Sequence, residues 1–240
     1  MGNFSFSVRN RILLSLSPED VGLIEPHLEA LELPLRHPLQ ARNRPIRHAY
    51  FLEHGIASVV ANGPPDQSIE VGIIGWEGLT GMQLAMGTDR SPHDTYMQVP
   101  GDGHRIAADS FCEILEKSRT LRECTLRYAH VFAIQGAGTA LANGRAKIEE
   151  RLARWLLMAQ DRANNDELQI THEFLALMLG VHRPGVTVAL NLLEGRGLID
   201  TRRAVVIVLD RKGLLKCTNG FYGGPEKEYH RLFGEKRRAR

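Results

Sequence analysis

The sequence predicts an α+β chain whose N-terminal part is a β-roll of the double-stranded β-helix, jelly-roll-like kind. Its C-terminal part is a cluster of short helices with a two-stranded hairpin, and one long helix joins the two. Three observations carry this. Between residues 33 and 106 short apolar runs alternate with turn residues; residues 107–163 contain no proline; and residues 170–209 hold two short helical patterns about a glycine, then a valine-rich strand pair. The boundaries read as 1–117 for the roll, 118–145 for the long helix and hinge, and 146–240 for the C-terminal domain.

At the N-terminus Ile12, Leu13, Leu16, Leu23, Ile24, Leu28 and Leu31, with a helix start at Ser17-Pro18, predict short amphipathic helices. The apolar runs then shorten to 50–52, 56–60, 69–74 and 96–99, divided by Gly55, Gly63-Pro64-Pro65, Gly75 and Gly101. Short strands at this spacing with turn signals between them imply a sandwich or roll. From Ala107 to about Ala163 the texture is helical, weakened only by Gly136, Gly138 and Gly144. Within it Leu121, Cys124, Tyr128, Val131, Gln135, Gly138 and Ala142 advance by alternating threes and fours, the spacing of a two-helix seam. These seven are the expected dimer interface, although the same stripe also suits packing onto the chain's own β-roll.

Composition excludes several classes. With 43% hydrophobic and 24% charged residues the chain has an ordinary globular make-up. Cys112, Cys124 and Cys217 lie far apart with no CxxC pair, which opposes a disulfide framework and a clustered metal site and fits a reducing cytoplasm. Cys112 and Cys124 read as buried small hydrophobes. The N-terminal segment has no long apolar run, and no stretch reaches the length of a membrane span. Charge divides unevenly: residues 1–143 hold 12 Lys and Arg against 16 Asp and Glu (net −4), and residues 144–240 hold 18 against 12 (net +6). The basic half is the expected side of a polyanion partner, and the tail 235–240 contributes to it.

In the stretch ITHEFLALMLGVHRPGVTVALNLLEGRGLI, Thr171 suits an N-cap, and Phe174, Leu175, Met178 and Leu179 fall on one face. Gly180 supplies the left-handed residue that a turn between two crossed helices needs. Arg183 and Pro184 open the second helix, whose inner face is Val186, Leu190 and Leu193. That leaves Arg183, Gly185, Thr187, Val188 and Asn191 outward or at the flank. Small and apolar outward groups suit a helix that enters a major groove, where a methyl meets thymine and Arg183 bonds guanine O6 and N7. The whole is a winged helix-turn-helix, with Asp200-Thr201-Arg202-Arg203 as the wing turn.

Here the sequence resembles the CRP/FNR family of transcription regulators. The resemblance rests on Ile170-Thr171, Gly180, Arg183, Val186, Leu193-Glu194 and Gly197-Leu198-Ile199, and more weakly on residues 48–60 of the roll. It implies a sequence-specific regulator that binds double-stranded DNA as a homodimer on a pseudo-palindrome, in the cytoplasm, with RNA polymerase as a further partner. It also implies Arg183 as base reader and Thr171, His182, Arg202 and Arg203 as phosphate contacts. Members that read a TGTGA-type half-site follow the recognition Arg with Glu and place a second Arg four residues beyond; Pro184 and Val188 stand there, so a different half-site is expected.

The roll is similar to the family's cyclic-nucleotide-binding domain, and Arg90-Ser91 match the pair that grips a cyclic phosphate. Yet either Met82 stands at the place of the ribose-binding Glu or Glu77 takes it at a gap of thirteen residues from Arg90, and Gly136 and Ala137 stand where Thr and Ser would read the purine. Arg90 and Ser91 are therefore candidate effector contacts, and cyclic nucleotide is not the expected ligand. The N-terminal segment lacks cysteine, so no iron–sulfur cluster is expected, and the histidines show no metal-ligand spacing. Nucleophile elbow, Walker loop and HExxH are absent, so catalysis is not expected. A second reading stays open: a nucleotide or small-molecule module whose helical C-terminal domain contacts proteins.

Overall fold

The computed structural model describes residues 4–64, 67–163 and 165–234. The basic tail 235–240, which supplies half of the C-terminal excess of positive charge, lies outside the described residues.

Two short helices, α1 (Arg11–Leu14) and α2 (Pro18–Ile24), open the chain, capped by the side chains of Asn10 and Ser17. The helical reading fails after that: Glu29–Leu33 is strand β1, paired antiparallel with β7 (Gly101–Ala107). Its local spacing was compatible with either period, and the ladder with β7 decided it. β7 also pairs with β3 (His48–Leu52), giving the sheet order β1-β7-β3. A facing sheet runs β2-β6-β4-β5, from β2 (Pro38–Gln40), β4 (Ile56–Asn62), β5 (Ser68–Ile74) and β6 (Asp94–Val99). Both inner faces are apolar, with Phe51, Leu52, Ala57, Ile74 and Met97 buried between them. The short helix α3 (Met82–Ala85) interrupts the connection from β5 to β6.

The helical stretch 107–163 divides into three helices, α4 (Ala108–Lys117), α5 (Arg119–Arg145) and α6 (Ile148–Ala163), of which α5 is the long helix expected over 118–145. Ser118 is extended and its hydroxyl accepts the Leu121 amide, ending one helix and capping the next. Ala146 is extended too, so the break at the hinge falls one residue beyond Arg145.

The seven-residue seam on α5 requires correction. Leu121, Cys124, Tyr128, Val131, Gln135 and Ala142 are buried inside one chain, and Gly138 is half-buried. The Gln135 amide clasps Ile73 on β5, its Oε1 accepting the Ile73 N–H at 2.6 Å and its Nε2 donating to the Ile73 carbonyl at 3.2 Å. Gly72 makes this approach possible, since a Cβ there would lie 2.8 Å from the Phe132 ring. The stripe therefore serves the roll. The opposite line of α5, Leu126, His130, Ala133, Ala137, Ala140 and Gly144, is exposed and advances by the same fours and threes.

The C-terminal domain holds β8 (Glu167–Gln169), α7 (His172–Leu179), α8 (Arg183–Gly195), β9 (Ile199–Arg202), β10 (Val205–Val208), α9 (Arg211–Cys217) and α10 (Gly224–Phe233). The wing sheet has the order β8-β10-β9, and β8 had no distinct pattern in the sequence. Asp200 and Thr201 belong to β9 rather than to its turn, paired with Ile207 and Val206 of β10, and the Thr201 amide and hydroxyl both donate to Glu194 Oε1. The turn is Arg203-Ala204, with Ala204 at φ 57°. No single helix among the described residues is long and apolar enough to cross a membrane.

Candidate nucleic-acid interface

α7 and α8 are set at 101° to one another, within the range of helix-turn-helix pairs. Local chemistry fixes that angle. The Thr171 hydroxyl accepts the Phe174 amide and starts α7, while Gly180 at φ 58° ends it and frees Val181 to bond the Ala176 carbonyl. A side chain at Gly180 would meet Ile69 of β5 at 2.7 Å, so the turn is also where the helix pair touches the roll. Phe174, Leu175, Met178 and Leu179 pack against Val186, Ala189, Leu190 and Leu193 in one core.

This packing sets the outward face of α8. Thr187 and Asn191 are exposed beside Arg183, and Pro184, Val188 (56% exposed) and Leu192 (47%) form a parallel apolar line. Leu190 and Leu193 of the expected inner face are buried, whereas Leu192 points out because it lies on the Val188 side of the helix. Gly185 is half-buried under Ile148, where a Cβ would approach to 3.2 Å. It is thus a packing residue at the flank of the face rather than a part of it. His182 precedes α8, exposed, and Arg202 and Arg203 are exposed at the wing tip. Arg183 pairs with Glu173 at 3.0 Å, both side chains about two-thirds exposed, and Arg202 pairs with Asp200 at 3.2 Å. Exposed pairs of this kind hold about 0–1 kcal/mol, so a phosphate or guanine can take either arginine at small cost. Thr171, His182, Arg183, Thr187, Val188, Asn191, Arg202 and Arg203 all face solvent.

The domain is anchored to the roll through α6. The Trp155 indole donates to Glu70 Oε1 at 2.8 Å, and the Ser58 hydroxyl donates to Glu70 Oε2 at 2.6 Å. Burial raises the Glu70 carboxyl to about 7, opposed by these two hydrogen bonds and by Arg154 and Arg162. Below it a buried ion pair joins Arg162 Nε to Glu77 Oε1 at 2.8 Å. Of these groups the sequence points only to Glu77, and to a ribose contact rather than to the ion pair it makes with Arg162. The partners lie 85 residues apart, and a lone acid in or after a strand carries no local signal.

Arg90 and Ser91 do not converge as an effector grip. Arg90 is exposed beside Asp89, whereas Ser91 is buried and its hydroxyl accepts the His93 amide. The strand-to-strand loop that holds them turns the two side chains to different surroundings. Among the cysteines, Cys124 and Cys217 are buried and Cys112 is only half-buried. Among the described residues no cluster of three metal-ligating side chains occurs.

Residues 150–217 match the family described as the Crp-like helix-turn-helix domain. No curated protein matches the chain. Solved structures share the fold. A CRP/FNR-family transcriptional regulator from Eubacterium rectale is 18% identical over 87% of this chain and 98% of its own, with a TM-score of 0.67. The c-di-GMP-responsive global regulator CLP of Xanthomonas campestris is 16% identical over 80% and 99%, with a TM-score of 0.65. FixK2 of Bradyrhizobium japonicum is 12% identical over 79% and 96%, with a TM-score of 0.69.

Proposed function

From a Crp-like helix-turn-helix domain carried on the fold of CRP/FNR-type regulators, we propose that this chain is a sequence-specific transcription regulator that binds duplex DNA as a homodimer in the cytoplasm. The observation that carries the reading is the outward face of α8, where Arg183, Thr187, Val188 and Asn191 stand clear of the domain core with no packing duty. Arg183 reads guanine, Val188 and the Thr187 methyl meet thymine, and Asn191 suits adenine. His182, Thr171 and the wing arginines hold the flanking phosphates and set the register. With Pro184 and Val188 where a TGTGA reader carries Glu and Arg, the half-site differs from TGTGA.

The dimer forms along the exposed line of α5. Alanines and a glycine at heptad spacing allow close helix approach, with Leu126 and Leu141 as apolar ends. Two-fold pairing there presents two α8 helices to successive major grooves about 34 Å apart. RNA polymerase is the further partner that regulators of this kind address. Catalysis has no part in the proposal.

Selection of bound fragments from random duplex DNA tests it. The expected product is an inverted repeat with half-sites about one helical turn apart. Recovery of unenriched sequence at low salt contradicts it.

A further inference from the structure

A cavity of about 360 Å³ lies where α10 crosses α5. Its size falls in the range of small-molecule sites. Its walls come from separate parts of the chain: Trp76 and Glu77 follow β5, Tyr128 and Val131 lie on α5, and Tyr229 and Phe233 lie on α10. Tyr229 and Phe233 stack with ring centres 4.6 Å apart, and the Tyr229 hydroxyl donates to the Glu77 carbonyl at 2.9 Å, fixing this wall.

The polar groups on the cavity are incompletely satisfied. Glu77 Oε1 is occupied, accepting from Arg162 Nε at 2.8 Å and from the Gly75 amide at 3.3 Å. Its Oε2 is shielded from solvent and has no hydrogen-bond partner among the described residues. The Tyr128 hydroxyl, on a residue only 2% exposed, faces the Glu77 side chain but makes no hydrogen bond of normal geometry with it or with any other described residue. Tyr128 has no room to turn away, because its ring lies on Gly78, where a Cβ would fall 1.9 Å from it. Buried polar atoms are rarely left unpaired in native proteins. A space of this size holds roughly a dozen waters, several times what two groups need. Aromatic walls around a carboxyl oxygen with a free lone pair suit a flat occupant with a donor, and the charged rim of Arg11, Asp161 and Glu226 leaves the mouth polar.

We propose that this cavity binds a small planar heteroaromatic molecule carrying an N–H group, its ring against Tyr229, Phe233 and Trp76 and its N–H donated to Glu77 Oε2. The site is separate from Arg90 and Ser91. Because its walls join the roll to the segment that follows the winged helix, the occupant braces the DNA-reading unit against the roll. That coupling rests on the DNA-binding reading; occupancy itself does not.

Calorimetric titration of the full-length protein with indole, and with benzofuran as the same shape without N–H, is the test. Indole is expected to saturate one site per chain, with benzofuran at least about tenfold weaker because the carboxylate is left unsatisfied. Val131→Phe fills the cavity and is expected to abolish binding in a protein that still melts cooperatively. Phe233→Ala, at a half-buried position near the end of α10, removes one wall with less risk to the core and is expected to weaken indole severalfold. Equal affinity for the two probes, indole binding that survives both substitutions, or no heat with a folded protein at millimolar indole would each overturn the proposal. DNA retardation by the same preparations separates the claims: intact DNA binding without indole binding refutes this site alone, and the reverse refutes the DNA reading alone.

Discussion

Helices α6 and α8 flank one core and treat polar groups in opposite ways. On α6, Trp155 and Arg162 face the roll, and each has a carboxylate partner across the domain boundary. On α8, Val188 and Leu192 are exposed without apolar cover, and Arg183 is held only by an exposed glutamate. Buried charge is tolerated when paired, so α6 obeys the rules of stability. Exposed apolar side chains gain nothing in water, and beside the exposed Arg183 they suit the DNA contact proposed for α8.

The contrast is broken most severely at the interdomain pair. Glu77→Ala strands Arg162 as a buried charge and is expected to cost about 3–5 kcal/mol, read as a lowered denaturant midpoint. Next comes Glu70, whose folded carboxyl titrates at about 7 against 4.5 for a free one. Between those pH values the folded chain keeps a proton that the unfolded chain has lost. Its stability contribution is therefore full below about pH 4.5 and is lost as pH rises to 7, at about 1.4 kcal/mol per unit. Glu70→Gln still accepts from the Trp155 indole and donates through its Nε2 to the Ser58 hydroxyl, and is expected to remove that slope, measured as melting temperature against pH. Ala137→Glu on the outer line of α5 is expected to weaken self-association at least about tenfold, about 1.4 kcal/mol, by sedimentation, with the folded chain's helicity unchanged. The smallest effect belongs to the wing. Arg203→Ala is expected to shift folding by under about 0.5 kcal/mol and to lower the salt slope of DNA binding by about one.

Sequence periodicity resolved the α+β class and the helix-turn-helix because both depend on neighbours within a few residues. Thr171, Gly180 and Arg183 lie in one contiguous signature, and their local roles follow from it. The α5 stripe shows where this fails. Leu121 to Ala142 and Leu126 to Gly144 both run at heptad spacing on opposite sides of one helix, and period alone does not say which side meets the roll. Bulk decides it: Tyr128 and Gln135 need a deep interior with backbone to bond, whereas the alanine line does not. Glu70, α10 and the pairing of Glu77 with Arg162 are not legible because their partners come from distant segments. The wing turn was misplaced because Asp200 and Thr201 resemble turn residues, yet both pair with β10 and so stand in the strand.

The ratio of specific to non-specific DNA affinity for Arg183→Ala, at one fixed salt concentration on the selected site and on a scrambled duplex, tests the central claim most directly. The ratio is expected to fall by the equivalent of about 1–3 kcal/mol, with stability within about 0.5 kcal/mol of the parent. An unchanged ratio, or an equal loss on both duplexes, would contradict the assignment of α8 as the reading surface.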